Sequence, residues 1–261
     1  MKQTSSQTVK FPSNPFKSDD FEPLEITFSL GAPVMLSYPW IMFDAMVAHA
    51  VLEQQFPEIL ATLDSRVVAD LSAMPLPLEK HEFLSLRQNP GFPNEMVAGI
   101  DFFYHASCSR FDVKATGTAN IRKRICESDA SHVTGLKKVD IVRGKLKAYD
   151  MRMVTITAPS CSFFCKGNKD AIVSLLEGIT GLGKKRAAGF GRITGVFVST
   201  TGSDTSIVHP GFGVNRPIPV TATKDLDLPG MADNVALLAY KPPYWDKSTH
   251  ALCRVPDGFG G

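Results

Sequence analysis

The segment Gly181-Leu-Gly-Lys-Lys-Arg-Ala-Ala-Gly-Phe-Gly191 places four glycines and three cations in eleven positions. Neither a regular helix nor a strand is built from such a segment. Glycine reaches positive φ without steric cost and lets backbone approach a ligand closely. Backbone N–H groups beside cations suit phosphates. Upstream, Asn168 is placed to cap a helix with Ile172, Leu175, Leu176 and Ile179 on one stripe. Downstream, Arg192 to Thr200 (RITGVFVST) reads as a strand. The order is therefore helix, loop, strand. That excludes a P-loop, which lies between a strand and a helix. Gly178 to Lys184 does supply G-x4-G-K, but Lys185 stands where a hydroxyl would hold magnesium. A dinucleotide-binding fingerprint fails on the same order. The plain alternative is a basic turn joining a helix to a strand.

The rest of the chain supplies a frame for this loop. Leu24, Ile26, Phe28 and Leu30 alternate with polar residues, which predicts a half-buried strand. Phe43, Met46, Val47, Ala50 and Val51 predict an amphipathic helix over Ile41 to Gln55, ending before Pro57. A second helical piece is expected over Glu58 to Leu71, and a short segment around Glu79 to Leu86. Met96 to Ser107 and Val139 to Thr157 read as strands, with Arg110 to Lys138 charged and irregular between them, a candidate projecting hairpin. Cys161 to Cys165 is a further short strand. The sum is β-α-β-β-α-β, an α+β chain of the ferredoxin-like arrangement that RNA recognition motifs share. The expected organisation has three parts. Residues 1–22 form a flexible leader. Residues 23–200 form the ferredoxin-like domain, with a β-rich insertion at about 92–148. Residues 201–261 form a loop-rich extension packed on the same domain.

Charge sharpens the picture. The chain carries 28 basic and 26 acidic side chains, a net of +2. Fifteen of the basic and six of the acidic ones fall between Arg122 and Arg192, a local net of +9 against −7 elsewhere. A basic segment in a balanced chain points to one local polyanion site. No apolar run is long enough for a transmembrane helix, and the Ser/Thr/Gln-rich start lacks a secretory apolar region. Five cysteines, an odd number, fit reduced thiols in a cytoplasmic protein. Cys161 and Cys165 are spaced C-x3-C without a second pair, and Cys126 and His132 lack companions, so neither a metal nor a cofactor is expected.

A Gly-rich loop between the last helix and last strand of a ferredoxin-like fold resembles the signature of RAMP proteins, the RNA-binding superfamily of CRISPR effectors. The likeness is closer to the "Cas five"-like subunit of type IV effectors, which caps the 5′ handle of the guide RNA. Several elements are similar to that branch. They include Gly31-Ala-Pro-Val-Met-Leu, Phe43-Asp44-Ala, the run Arg143-Gly-Lys-Leu-Lys-Ala-Tyr-Asp-Met151, and Phe163-Phe164 with Gly167. Arg216-Pro-Ile-Pro219 and Lys241-Pro-Pro-Tyr-Trp245 follow. The likeness runs from about Leu24 to Trp245. Ala187-Ala188 departs from it, because a polar pair is expected there.

The resemblance implies a non-catalytic, crRNA-binding subunit of an antiplasmid or antiviral ribonucleoprotein. Its implied partners are the crRNA 5′ handle, the RAMP backbone subunit, the large subunit and the repeat-processing subunit. Target DNA near the flanking motif is a further implied contact, the system's helicase only an indirect one, and no membrane is involved. The implied RNA-binding set is Gly181, Gly183, Lys184, Lys185, Arg186, Gly189, Gly191 and Arg192 on the loop, Arg143, Lys145, Lys147 and Tyr149 on a strand, and Arg122, Lys123 and Arg124. In a strand, Arg143, Lys145 and Lys147 share one face about 13 Å long, and Tyr149 continues it as a stacking candidate. The same stripe also fits a solvated edge strand. The rival is a RAMP endoribonuclease cutting repeat RNA, with His49 or His105 moving the proton.

Overall fold

The computed structural model describes residues 11–62, 73–89, 92–124, 147–226 and 234–257. In chain order the elements begin with β1 (Glu22–Leu30), β2 (Val34–Leu36), α1 (Phe43–Gln55) and α2 (Pro57–Thr62). Next come β3 (Lys80–Asn89), β4 (Phe92–Tyr104), β5 (Arg110–Phe111), β6 (Ala115–Lys123), β7 (Tyr149–Thr157) and β8 (Ser160–Gly167). Then α3 (Lys169–Leu176) leads to β9 (Ile193–Thr200). The last strands are β10 (Val208–His209), β11 (Gly213–Val214), β12 (Ile218–Pro219), β13 (Val235–Ala239) and β14 (His250–Arg254). The protein is α+β, with few helices, and every strand pairing among the described residues is antiparallel.

The central sheet runs β5-β8-β1-β9. Its inner face follows from the alternation in β1, where Leu24, Ile26 and Phe28 are buried. Helix α1 covers that face with Phe43, Val47, Ala50 and Val51, and α3 with Ile172, Leu175 and Leu176. Phe163 of β8 meets Phe28 edge-to-face at 5.7 Å and Phe43 at 5.3 Å. Buried side chains of this size each contribute about 1.5–3 kcal/mol. The predicted cap is present, since Asn168 Oδ1 accepts from the Ala171 N–H at 3.0 Å. Phe11, in the stretch expected to be a leader, packs edge-to-face on Phe56 at 5.2 Å.

Four further sheets are attached to this core. The ribbon β6–β7 continues through β2 in the order β2-β7-β6. The stretch expected to be irregular from Arg110 onward thus contains β5 and β6. Its pattern hid them because β6 is mostly exposed along its length and has no apolar face to alternate. Residues 125–146 lie outside the described residues, so the expected strand from Val139 is seen only from Tyr149. The short segment near Glu79 is a ten-residue strand, β3, paired with β4 from Lys80 to Asn89. The stretch after Thr201 carries β10 to β14. A second small core forms there, where Ile207, Ile218, Tyr240 and Cys253 pack with Phe83 and Phe103 of the β3–β4 hairpin.

Candidate functional site

The Gly-rich loop is locked to the core by backbone bonds. The Leu182 N–H donates to Gly191 O and the Gly191 N–H to Pro33 O, each at 2.8 Å. The Lys184 N–H donates to Met35 O of β2 at 2.8 Å. These bonds need close approach. A β-carbon at Gly183 would lie 2.4 Å from Met35 O, and one at Gly191 would lie 1.9 Å from Leu182 O. Both glycines have positive φ, 76° and 65°. Gly189 also has positive φ, but nothing stands within 4 Å of its would-be β-carbon. The loop is thus pinned at both ends, and its tip, a single 3-10 turn over Arg186–Ala188, projects.

The projecting part carries the cations. Lys184, Arg186 and Arg192 are exposed, and Lys185 is half-buried. Lys185 has φ 59°, the left-handed region that non-glycine residues enter at a cost of about 1–2 kcal/mol. Its ammonium donates to the Tyr149 hydroxyl at 2.9 Å and sits 5.1 Å from the ring centroid. That hydrogen bond holds the Tyr149 phenol below its ordinary pKa against desolvation, with smaller help from the Lys185 and Lys123 charges. Lys123 is the cross-strand partner of Tyr149. The structure therefore joins the loop to the ribbon through Lys185, Tyr149 and Lys123.

The other predicted residues divide. Arg122 is exposed and pairs with Asp150 at 2.8 Å, which neutralises part of its charge, while Arg124 is exposed. Lys147 is exposed and precedes β7 rather than lying in it. Arg143 and Lys145 lie outside the described residues, as do Lys137, Lys138, Cys126 and His132. Gly181 forms a bridge with Arg192, and a β-carbon at Gly181 would lie 3.3 Å from the Arg186 stem. Phe190 is half-buried and lines a recess with Arg186, Gly189 and Arg192.

Two buried ion pairs were not legible as such. Arg216 is fully buried. It donates to the carbonyls of Tyr104, Ala106 (3.0 Å) and Tyr240, and reaches Asp44 of α1 at 3.3 Å. The Tyr244 hydroxyl donates to Asp44 at 2.7 Å. Burial pushes the Asp44 carboxyl up against the pull of Arg216, and pushes the Tyr244 phenol well up. Lys241 and the Tyr240 hydroxyl both donate to buried Asp101. The Arg216 and Lys241 segments thus bind the C-terminal strands to α1 and β4. Their sequence signal was the Arg-Pro-Ile-Pro and Lys-Pro-Pro-Tyr-Trp runs, which carry no sign of burial.

Of the histidine candidates, His49 is exposed on α1, and His105 Nδ1 meets Asp204 Oδ2 at 2.5 Å. Glu79 lies near this pair, but is taken by Lys166 at 2.8 Å. The four described cysteines are free and buried, and burial pushes Cys108 up to about 11 and Cys253 to about 12. Among the described residues no helix is long and apolar enough to cross a membrane.

A family model described as CRISPR type IV associated protein Csf3 matches residues 100–256. The chain belongs to the Csf3 family. Csf3 is the "Cas five"-like RAMP subunit of type IV systems. The match takes in the Gly-rich loop, β9, Arg216 and the Lys241 run, and so ties this chain to a type IV CRISPR complex. No curated protein matches the chain.

Proposed function

We propose that this chain is a non-catalytic RNA-binding subunit that caps the crRNA 5′ handle in its type IV complex. The observation that carries the reading is the pinned loop. Its backbone is held on β2, with Lys184 exposed at that anchor and Arg186 at the tip, while Lys185 tethers Tyr149 of the ribbon. Fixed cations position phosphates, and an aromatic ring beside them stacks an unpaired base. The loop cations belong to the +9 segment of the sequence, and the acidic remainder weakens indiscriminate binding.

The frame supports a ferredoxin-like core. Strand β1 is followed by α1 and then edge strand β5, β8 by α3 and then edge strand β9, and the sheet order is β5-β8-β1-β9. Two interleaved strand-helix-strand units in an antiparallel sheet are the ferredoxin-like plan. The remaining surface is left for the backbone, large and repeat-processing subunits and for the region near the target-flanking motif.

Alanine at Lys184, Lys185 and Arg186 together should weaken guide binding. It should also flatten the salt dependence, by about one unit of log–log slope per lost phosphate contact. Titrations at several salt concentrations measure this. An unchanged slope in a folded variant removes the loop from the RNA site. The purified protein should leave CRISPR repeat RNA uncut. Cleavage that disappears in His49→Ala or His105→Ala would establish the endoribonuclease reading instead.

A further inference from the structure

Beside the loop lies a cleft of about 560 Å³ that the loop cations alone do not explain. One wall is α1, with Met46 and Ala50. A second is the chain entering α1, with Tyr38 and Trp40. The third is β13, with Leu237 and Leu238, and the loop closes it through Leu182, Gly183, Lys184 and Arg186. Tyr38 is 71% exposed and Leu237 73% exposed. Large apolar side chains left open in this way mark a binding surface. The volume is that of a small-ligand site, for which about 300–1,000 Å³ is usual.

The polar groups say what fits. Lys184 and Arg186 supply positive charge on the loop side only. His49 and Glu53, one turn apart on α1, line the same cleft and offer a donor and an acceptor side by side. An apolar-walled slot with aromatic rings, a donor–acceptor pair and flanking cations matches a heterocyclic base attached to a phosphate. We propose that this cleft seats an unpaired base of the bound RNA, with His49 and Glu53 reading its edge. The proposal rests on the loop reading, since Lys184 and Arg186 would hold the phosphate of the seated nucleotide. It gives the C-terminal extension a ligand-contacting part, because β13 supplies the wall facing α1.

The test uses the full chain and two labelled single-stranded RNAs of equal length, one of mixed sequence and one abasic throughout. Stacking and edge contacts are worth about 1–3 kcal/mol per base, so the intact RNA should bind about tenfold more tightly than the abasic one. Leu237→Asp, at an exposed position, should close most of that gap, its added carboxylate weakening both RNAs alike. His49→Ala should alter the ranking of A, C and U tracts. Equal binding of intact and abasic RNA overturns the proposal, as does a gap that survives Leu237→Asp. A Leu237→Asp variant that keeps the gap but no longer co-purifies with other subunits assigns the cleft to a protein partner. The triple alanine loop variant separates the two readings. If it weakens both RNAs and no gap exists, the loop binds RNA and the cleft does not. If it weakens neither, the loop reading itself fails.

Discussion

Gly191→Ala will cost about 2–5 kcal/mol of folding stability, whereas Gly189→Ala, two residues away, will cost about 1–2 kcal/mol. Both residues have positive φ, at 65° and 89°, so each substitution bears the left-handed penalty of about 1–2 kcal/mol. Only Gly191 adds a collision, with its β-carbon 1.9 Å from Leu182 O. That carbonyl is backbone, and the Leu182 N–H is bonded to Gly191 O, so relief requires breaking the pairing that closes the loop. Overpacking of this kind adds about 1–3 kcal/mol. Against a usual total of about 5–15 kcal/mol, the loss is large. Gly183→Ala should behave like Gly191→Ala, because Met35 O lies 2.4 Å from its β-carbon. Equilibrium urea denaturation of the three variants measures the difference. Equal losses at Gly189 and Gly191 would show that conformation alone, and not the closed loop, sets the requirement.

Arg216→Ala should cost about 3–5 kcal/mol, the range for removing one partner of a buried ion pair. The change leaves Asp44 without its cation and removes a donor from the carbonyls of Tyr104, Ala106 and Tyr240, of which Tyr104 O keeps the Ala106 N–H. Because Arg216 links α1 to the C-terminal strands, amide exchange should quicken first in β13 and β14, near Tyr240. Replacing both partners, with Asp44→Asn and Arg216→Met, should be less damaging than Arg216→Ala alone. The double variant removes the charge left uncompensated. A double variant that is worse than the single one would show that Arg216 acts through its carbonyl contacts and not through Asp44.

Much of the frame was legible in short stretches. β1 appears in the alternation of Leu24, Ile26 and Phe28, α3 in the Asn168 cap and its stripe, and β9 in its β-branched run. Each of these elements buries one face, so its period survives in the sequence. β4 is read from Met96 onward, but β6 and β3 were poorly seen for the opposite reason. β6 is mostly exposed, and the hairpin leaves Leu84, Leu86 and Ile100 open, so apolar residues fall on both of its faces. The site was legible as composition. Glycine density and three neighbouring cations marked the loop, and Tyr149 was placed by parity. The tether that makes Tyr149 part of the site, the Lys185 contact, spans 36 positions and leaves no local trace.

By itself, the sequence determined where the backbone had to turn and where positive charge had to gather. It also carried the motifs that place the chain in its family. These follow from local sterics and residue type, which neighbours along the chain decide. Only the tertiary structure decided which glycine lacks room for a β-carbon, and that Arg216 is a buried strut. It alone also showed that Tyr38, His49, Lys184 and Leu237 share one cleft. Those properties depend on atoms brought together from distant segments. Burial and collision are set by what packs opposite a residue, not by what precedes or follows it.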